Sequence, residues 1–406
     1  MLSKRVALSL FSVLAALAIL LAACSPATPG PAPTQAPAPT QAPNPTQAPA
    51  ATADWSTAKS LADGGGMDAL VAAAQKEGEL NVITLPRDWC DYGDMMDNFA
   101  KKYNLKVNSI NPDGGSAEEV QAIIDNKQNK GPQAPDVLDI GPAYGPLAKG
   151  QNLLAPYKVA TWSTIVGTND PDGYYWVDYS GVMALEVNTD MVKNVPQDIN
   201  DLLDPQYKGQ IALSGDPRTS NQAAQEVYMT ALVNGGSLDN IQPGLDFMKQ
   251  LSQSGNLLPL IAKTGNIAKG EVGITFEWSW NAFANKANLK GNPNIAVIFP
   301  KSVTWGGYYY QAVSAYAPHP AAARLWEEYL YSDEGQLTWI NGYCAPARIA
   351  DLTARNVVSA DLAAKLPDPK LLAAAVVPNP DQLTKARALI KDQWDSVVGL
   401  DIKAGN

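Results

Sequence analysis

Residues 67–85, MDALVAAAQKEGELNVITL, place a helical pattern directly before a strand pattern and decide the fold class. In Met67–Glu77 the apolar residues recur with the spacing of an amphipathic helix, and Gly78 follows where helices commonly end. The stretch ELNVITL (79–85) is short, apolar and β-branched, which is typical of a buried strand. We therefore predict a helix that leads into a buried strand.

The same alternation continues along the chain. Helical patterns cover DMMDNFAKKY (94–103) and AEEVQAIIDNKQN (117–129), and strand patterns cover LKVNSI (105–110) and DVLDIG (136–141). Such alternation predicts an α/β fold with a mostly parallel sheet flanked by helices, which binds ligands beyond the carboxyl ends of its strands. Candidate binding loops at those ends are LPRDWCDYG (85–93), DGGSAEE (113–119) and GPAYGP (141–146).

The first 53 residues have the features of a secretion signal and a spacer. MLSKR is followed by an apolar run over residues 6–22 that is shorter than the ~20 residues a membrane span needs, so we predict a signal peptide over 1–23. Its end, LAAC (21–24), is similar to the bacterial lipobox, which implies that Cys24 is lipidated. Residues 24–53 are rich in Pro, Ala, Thr and Gln and predict a semi-stiff tether.

The charge balance excludes some partners. The chain has 30 Lys+Arg against 40 Asp+Glu, a formal net charge of -10, and it contains no basic run. This composition argues against nucleic acid and against an electrostatic membrane patch, so we expect membrane contact through the lipid anchor only. An acidic chain is compatible with a cationic or neutral ligand.

Histidine and cysteine usage narrows the chemistry further. The chain has one histidine, His319. A single histidine rules out a multi-histidine zinc site and makes a Ser/His/Asp triad improbable, so we expect no metal, no cofactor and no catalytic residues. Three cysteines are present, and Cys24 is assigned to lipid. In an oxidising compartment Cys90 and Cys344 could form one disulfide or remain two separate buried thiols.

Several longer stretches resemble the extracytoplasmic solute-binding proteins of ABC importers, in the class that includes ferric-ion, polyamine and thiamine binders. The most specific is APHPAAARLWEEYLYSDEGQ, which resembles the late helix of that family and the Ser-Asp-Glu-Gly-Gln segment that ends it. The others are AAAQKEGELNVIT (72–84), APDVLDIG (134–141), YSGVMALEVNTD (179–190), LLDPQYKGQIALSGDP (202–217) and KGEVGITF (269–276).

The resemblance implies a two-lobe periplasmic-binding-protein-like fold of type II, with crossing strands between the lobes. Lobe 1 would comprise residues 54–182 plus 312–406, and lobe 2 residues 183–311. Closure of the lobes on a small-molecule solute would present a shape that an ABC permease, with its ATPase subunits, recognises. The resemblance thus implies a monomeric, extracytoplasmic, lipid-anchored binding protein and not an enzyme.

One candidate site recognises a cation. In EVGITFEWSWNAF (271–283), Glu277 with Trp278 and Trp280 could enclose an amine together with Asp88 and Trp89. Strand alternation allows only the carboxylate or the indoles to face the cleft unless the strand ends there, and the tryptophans could instead be core. Ferric binders place paired tyrosines at this point, so a ferric ion is retained only as an alternative.

A second candidate site recognises an anion. Four residues stand where a helix is expected to begin, in GDPRTSNQAAQEVY (215–228): Arg218, Thr219, Ser220 and Asn221. Free amide groups, hydroxyls and a guanidinium there could bind phosphate or carboxylate, or the segment could be an ordinary helix cap. Tyr144, Tyr179 and Tyr309 are further candidate contacts.

The two sites lead to different solutes. If both are real, the solute is zwitterionic, such as an aminophosphonate; if only the first is, it is a polyamine-like cation. The rival reading is a secreted carbohydrate-binding protein or glycosidase, because tryptophans and carboxylates such as Asp88, Asp178, Asp216 and Glu277 also suit sugars. A surface adhesin would fit the tether but would have no use for a cleft.

Overall fold

A computed structural model describes residues 54–403 of the chain. The predictions for the signal peptide (1–23), for Cys24 and for the tether (24–53) lie outside the described residues. None of the helices within 54–403 is long and apolar enough to cross a bilayer.

The described residues form helices and strands in frequent alternation. The helices are α1 (Met67–Glu77), α2 (Tyr92–Tyr103), α3 (Ser116–Asp125), α4 (Tyr144–Gly150), α5 (Asn221–Val233), α6 (Gln242–Ser254), α7 (Thr264–Ala268), α8 (Ser279–Leu289), α9 (Pro320–Leu330), α10 (Asp333–Asn341), α11 (Ile349–Ala354), α12 (Ala360–Ala363), α13 (Pro369–Ala374) and α14 (Pro380–Val397). The strands are β1 (Glu79–Ile83), β2 (Lys106–Ile110), β3 (Val137–Ile140), β4 (Leu154–Ala155), β5 (Trp176–Asn188), β6 (Ile211–Leu213), β7 (Leu257–Ile261), β8 (Ile274–Trp278), β9 (Ile295–Ile298), β10 (Gly306–Ser314) and β11 (Ala345–Pro346).

The stretch at residues 67–85 folds as predicted. Helix α1 ends at Glu77 because Gly78 adopts a φ of 81°, in the left-handed region that glycine enters without strain. Strand β1 follows at once, with Leu80 and Val82 fully buried. The predicted helix-to-strand unit is therefore confirmed.

The sheets are mixed, where the alternation alone predicted mostly parallel pairing. Strands β1 and β2 pair in parallel, and β6 pairs in parallel with β7 and β8. Strand β5, however, pairs antiparallel with β10 over its first half and antiparallel with β8 and β9 over its second half. The antiparallel pairs arise because β5 is a long strand that crosses between the two parts of the sheet. The alternation of helices and strands along the chain does not predict such a strand.

Strand β5 joins the two parts of the larger sheet. Its residues up to Val182 pair with β10, and those from Met183 onward pair with β8 and β9. Helix α14 falls in the segment assigned to lobe 1, yet it packs against α5 and α6. The exact lobe boundaries remain a prediction.

The two cysteines of the described chain form a disulfide. Cys90 and Cys344 are fully buried, with Cα atoms 5.5 Å apart. Cys90 follows strand β1, and Cys344 immediately precedes β11. The bond therefore fastens the loop after β1 to a segment that is 254 residues away in sequence.

Candidate functional site

A cleft lies where several strands end, as expected for an α/β fold. Its walls come from the loops that follow β1, β2, β6 and β7 and from the last residues of β3 and β8. The lining residues are Thr84, Pro86, Asp88, Trp89, Asp113, Gly114, Gly115, Ser116, Glu119, Asp139, Tyr179, Ser214, Ser220, Asn221, Gln222, Ala262, Lys263, Thr264, Gly265, Glu277, Asn281, Asn285 and Tyr309.

The structure brings together most of the side chains that the sequence singled out. Those that line the cleft are Asp88, Trp89, Tyr179, Ser220, Asn221, Glu277 and Tyr309. They come from both predicted lobes, since Asp88 and Trp89 follow β1 whereas Ser220 and Glu277 belong to the second part of the sheet.

At the end of β8 the carboxylate faces the cleft and the indoles face the interior. Strand β8 ends at Trp278, and helix α8 begins at Ser279, so the alternation of a strand stops at this point. Glu277 is 9% exposed and lines the cleft. Trp278 and Trp280 are fully buried and stack on each other with ring centroids 5.1 Å apart.

The Glu277 carboxylate is held in place by its neighbours. Its Oε1 accepts hydrogen bonds from Gln222 Nε2 at 2.7 Å, from the backbone N–H of Trp278 at 2.8 Å and from Asn281 Nδ2 at 3.2 Å. Burial raises the pKa of Glu277, and these donors act against that rise. Among the described residues Oε2 has no hydrogen-bond donor, so this oxygen can accept one from a bound solute.

Three aromatic side chains form the wall beside Glu277. The indole Nε1 of Trp89 donates to the hydroxyl of Tyr179 at 2.7 Å. Trp89 also meets Tyr309 edge to face at 5.6 Å between ring centroids, and it meets the buried Trp280 at 5.6 Å in the same manner. Trp89 is thereby held rigidly at the cleft surface.

The predicted anion residues separate into two groups. Ser220 caps helix α5 by accepting from the backbone N–H of Ala223 at 3.3 Å, and Asn221 opens the helix at 3% exposure. Both polar atoms of the Asn221 side chain lie in the cleft wall and lack hydrogen-bond partners among the described residues. These two residues remain candidates for direct contact with a solute.

Arg218, Thr219 and Tyr144 do not line the cleft. The Arg218 guanidinium forms ion pairs with Asp216 at 2.7 Å, Asp395 at 2.8 Å and Asp401 at 3.0 Å. These three carboxylates satisfy its charge. The backbone carbonyl of Thr219 accepts a hydrogen bond from the Tyr144 hydroxyl at 3.0 Å, which ties the start of α4 to the α5 loop.

Sequence reasoning missed two carboxyl groups at the floor of the cleft. Asp139 Oδ2 accepts from the hydroxyls of Tyr92 at 2.8 Å and Tyr179 at 2.7 Å, and Glu119 Oε2 accepts from the Asp139 N–H at 3.0 Å. Burial raises the pKa of Asp139 to about 6 and that of Glu119 well above its ordinary value. Glu119 is the last residue of the candidate binding loop DGGSAEE (113–119) and Asp139 lies two residues before the GPAYGP loop, but neither pattern singles out the carboxyl group.

The candidate binding loop DGGSAEE (113–119) lines the cleft, and it contains the start of helix α3. Gly114, Gly115 and Ser116 line the cleft opposite Asn221, so the N-termini of α3 and α5 meet at the floor. The first N–H groups of each helix lack intrahelical acceptors and carry partial positive charge. Exposed Lys263 at the rim, which no motif indicated, adds a full positive charge.

The carboxylates considered for glycoside hydrolysis do not all meet in the cleft. Asp88 and Glu277 line it, whereas Asp178 is buried beneath the floor and Asp216 is paired with Arg218. Within residues 54–403 no group of three or more His, Cys, Asp or Glu side chains is arranged to hold a metal ion.

A two-lobe α/β fold with a polar and aromatic cleft at its strand ends defines the class of type II periplasmic binding proteins. A family model described as bacterial extracellular solute-binding protein matches residues 132–372, which is more than half of the chain. The chain therefore belongs to this family of bacterial extracellular solute-binding proteins.

Individual relatives agree with this assignment. A Salmonella typhimurium protein named "Putative 2-aminoethylphosphonate-binding periplasmic protein" is 28% identical over 215 residues, covering 52% of this chain and 58% of that protein. The spermidine/putrescine-binding periplasmic protein of Escherichia coli is 28% identical over 242 residues, covering 57% of this chain and 61% of that protein. The chain thus spans less than two thirds of the length of both curated relatives.

A solved structure shows the same fold. The periplasmic binding protein AfuA from Actinobacillus pleuropneumoniae, with exogenous fructose-6-phosphate bound, matches with a TM-score of 0.63 at 21% identity. The match covers 79% of this chain and 99% of that one. The type II fold predicted from the sequence is therefore confirmed.

Proposed function

We propose that this protein is the solute-binding component of an ABC importer and captures a small organic solute that carries an amine and an anionic group. The observation that carries the proposal is the polarity of the cleft. Glu277 lines one part of the cleft beside Trp89, and the starts of α3 and α5 line the adjoining part, with Gln222 of α5 hydrogen-bonded to Glu277 at 2.7 Å. An aminophosphonate-like zwitterion matches both parts.

Each part of the cleft has a physical basis for recognition. An ammonium group gains a charge-assisted hydrogen bond from Glu277, and an indole face adds about 0.5 to 2 kcal/mol. Free N–H groups at two helix starts attract an oxyanion, and Lys263 at the rim adds to that attraction. The name of the Salmonella relative, which refers to 2-aminoethylphosphonate, supports this solute class.

A polyamine-like cation is the second candidate, because carboxyl groups line both parts of the cleft. Glu277 lines one part of the cleft, and Glu119 with Asp139 lines the adjoining part. The Escherichia coli relative is named for spermidine and putrescine. A diamine would, however, place a positive charge against the two helix N-termini, so the zwitterion accounts better for the floor.

In an importer the protein would need a membrane anchor and a permease with its ATPase subunits. Lipidation of Cys24 would hold the protein at the outer face of the bacterial cell membrane, and the tether would hold the cleft away from that surface. Closure of the lobes around the solute would then present one shape to the permease and its ATPase subunits. In this role the protein binds as a monomer and makes or breaks no bond.

A thermal-shift panel of amines, diamines, aminophosphonates, sugars and ferric salts tests the solute class. A ligand at a hundred times its Kd stabilises the fold by about 2.7 kcal/mol, which is readily measured. We expect the largest rise in Tm with 2-aminoethylphosphonate, and a smaller rise in Glu277→Gln. Glu271→Gln, an exposed carboxylate outside the cleft, is the matched control. A rise with sugars or ferric salts alone would contradict the proposal.

A further inference from the structure

The floor of the cleft combines hydrogen-bond donors with hydrogen-bond acceptors that have no partner. The donors are the first N–H groups of α3 and α5 and the hydroxyls of Ser116 and Ser220. Each hydroxyl oxygen already accepts one backbone N–H, at 3.0 Å from Gly141 and at 3.3 Å from Ala223. Each hydroxyl can therefore still donate its proton to an oxygen of a bound solute.

The acceptors at the floor are carboxyl and amide oxygens. Glu119 Oε1, Asp139 Oδ1 and Asn221 Oδ1 are buried in the cleft wall and make no hydrogen bond of ordinary geometry among the described residues; the nearest polar neighbours are Thr84 beside Glu119, Asp178 beside Asp139 and Tyr309 beside Asn221. Glu119 is fully buried, and its other oxygen is fixed by the Asp139 N–H at 3.0 Å. A buried acceptor without a donor is unfavourable, so a solute group that donates to it would be bound selectively.

This combination matches neither a bare cation nor a fully ionised oxyanion. A cation would leave the helix N–H groups without acceptors, and a dianion would place negative oxygens against Glu119 and Asp139. A phosphonate or phosphate with one proton satisfies both sets, since its ionised oxygens accept from the helix starts and its O–H donates to a carboxylate.

Resting on the proposed function, we propose that Glu119, supported by Asp139, binds the anionic end of the solute as a protonatable oxyanion and holds one proton between carboxyl and oxyanion oxygens. The proton stays within this hydrogen bond and no covalent bond between heavy atoms changes. Glu119 thereby determines which oxyanions enter the floor.

The charged surroundings favour retention of that proton. Asp139 faces Glu119 from β3, and Glu118 lies beside it on α3. Asp178 approaches Asp139 from β5, and no lysine or arginine other than Lys263 lines this cleft. Burial and these acidic groups raise the pKa of Glu119, which favours retention of a shared proton.

Calorimetry with 2-aminoethylphosphonate tests the inference. Where Glu119 and the free phosphonate are both ionised, we expect one proton to be taken up per solute bound, seen as a binding enthalpy that depends on the ionisation enthalpy of the buffer; where either group already holds the proton, that group supplies it and no uptake is expected. As the pH rises toward about 8.5, the affinity should fall with a slope that approaches ten-fold per pH unit, the slope of a single linked proton.

The variant Glu119→Gln separates the inference from ordinary structural damage. Its amide oxygen can still accept from the Asp139 N–H, while its NH₂ donates permanently into the cleft. We expect the pH dependence to fall to about two-fold or less over the same range, with tighter binding than the wild type near pH 8.5. Glu328→Gln, which changes a largely buried carboxyl that bonds to the Tyr157 hydroxyl and the Ala160 N–H and does not line the cleft, should keep the wild-type profile.

Two results would overturn the inference: a proton uptake and a pH profile that are the same in the wild type and in Glu119→Gln, or loss of binding of a simple amine in Glu119→Gln. The last result would show that the floor holds the ammonium group. The proposed function fails in a different way, when no amine or aminophosphonate raises the Tm of the wild type.

Discussion

Glu277 and Trp278 are neighbours in the chain, but their side chains have opposite environments. Glu277 lines the cleft, whereas Trp278 is fully buried and stacked on Trp280. At these adjacent positions, Glu277 is therefore available to a solute and Trp278 contributes to packing.

For Trp278→Phe we expect a loss of about 1 to 3 kcal/mol in the free energy of unfolding, because a large buried ring is replaced by a smaller one. The affinity for solute should change by less than about two-fold, since Trp278 does not line the cleft. In Trp89→Phe we expect the reverse: a weaker solute affinity and a smaller loss of stability. Urea unfolding and calorimetry measure both quantities; equal effects of the two variants on affinity would contradict this assignment.

Asp139 should make the stability of the protein depend on pH. Its pKa is about 6 in the folded state, above the ordinary value of 3.8, so the folded protein holds this proton more tightly than the unfolded chain. Its contribution to stability is present below about pH 4 and is lost as the pH rises through about 6, a difference of about 3 kcal/mol. Asp139→Asn should flatten this part of the profile. Urea unfolding of both proteins at several pH values checks this prediction. The prediction would be contradicted if the free energy of unfolding of the wild type, minus that of Asp139→Asn, rose between about pH 4 and about pH 7.

At the scale of elements, the start of α5 is packed against the GPAYGP loop. Gly141 lies so close to Asn221 that a Cβ atom at this position would overlap the Asn221 side chain. The loop therefore needs glycine here for steric reasons.

We expect Gly141→Ala to displace the start of α5 and to lower solute affinity by about ten-fold or more. Gly150→Ala is the matched control, because a Cβ atom there meets nothing within 4 Å. Calorimetry of the two variants gives the comparison. Equal affinities would mean that the α5 terminus does not contact the solute.

The disulfide should support both the fold and the cleft. Cys90 is the neighbour of Trp89, and its bond to Cys344 closes a long loop, for which about 2 to 5 kcal/mol of stabilisation is typical. We expect the double variant Cys90→Ser, Cys344→Ser to lose stability in this range and to bind solute more weakly. Urea unfolding and calorimetry are the measurements, and mass spectrometry with and without reductant verifies the bond. Unchanged affinity would show that Trp89 is held by Tyr179 alone.

At the scale of the whole molecule, contacts join the two predicted lobes across the cleft. The Tyr144 hydroxyl donates to the Thr219 carbonyl at 3.0 Å, and Trp89 meets Trp280 at 5.6 Å. These contacts would have to break for the cleft to open. We therefore expect small-angle scattering to show a smaller radius of gyration with solute than without it. Identical curves at saturating solute would contradict a hinge mechanism.

Much of the architecture follows from local sequence, whereas the site depends on distant contacts. The helix at Met67–Glu77 and its glycine end were predictable because their causes lie within a few residues. The ion pairs of Arg218 could not be predicted locally, because two of its carboxylate partners, Asp395 and Asp401, are 177 and 183 residues away.

Two other features were beyond local patterns. The orientation of Glu277 could not be derived from alternation, since the strand gives way to a helix at Ser279. Glu119 appears in the sequence as half of an acidic Glu-Glu pair, which ordinarily faces solvent, and only tertiary packing against Asp139 buries it.

The position of Trp89 also provides an optical signal. Its indole is partly exposed at the cleft wall, whereas Trp278 and Trp280 are fully buried. A solute that covers Trp89 should therefore alter its emission and its quenching by iodide. The natural protein thus contains its own fluorescent reporter, and affinities can be titrated without attaching a dye.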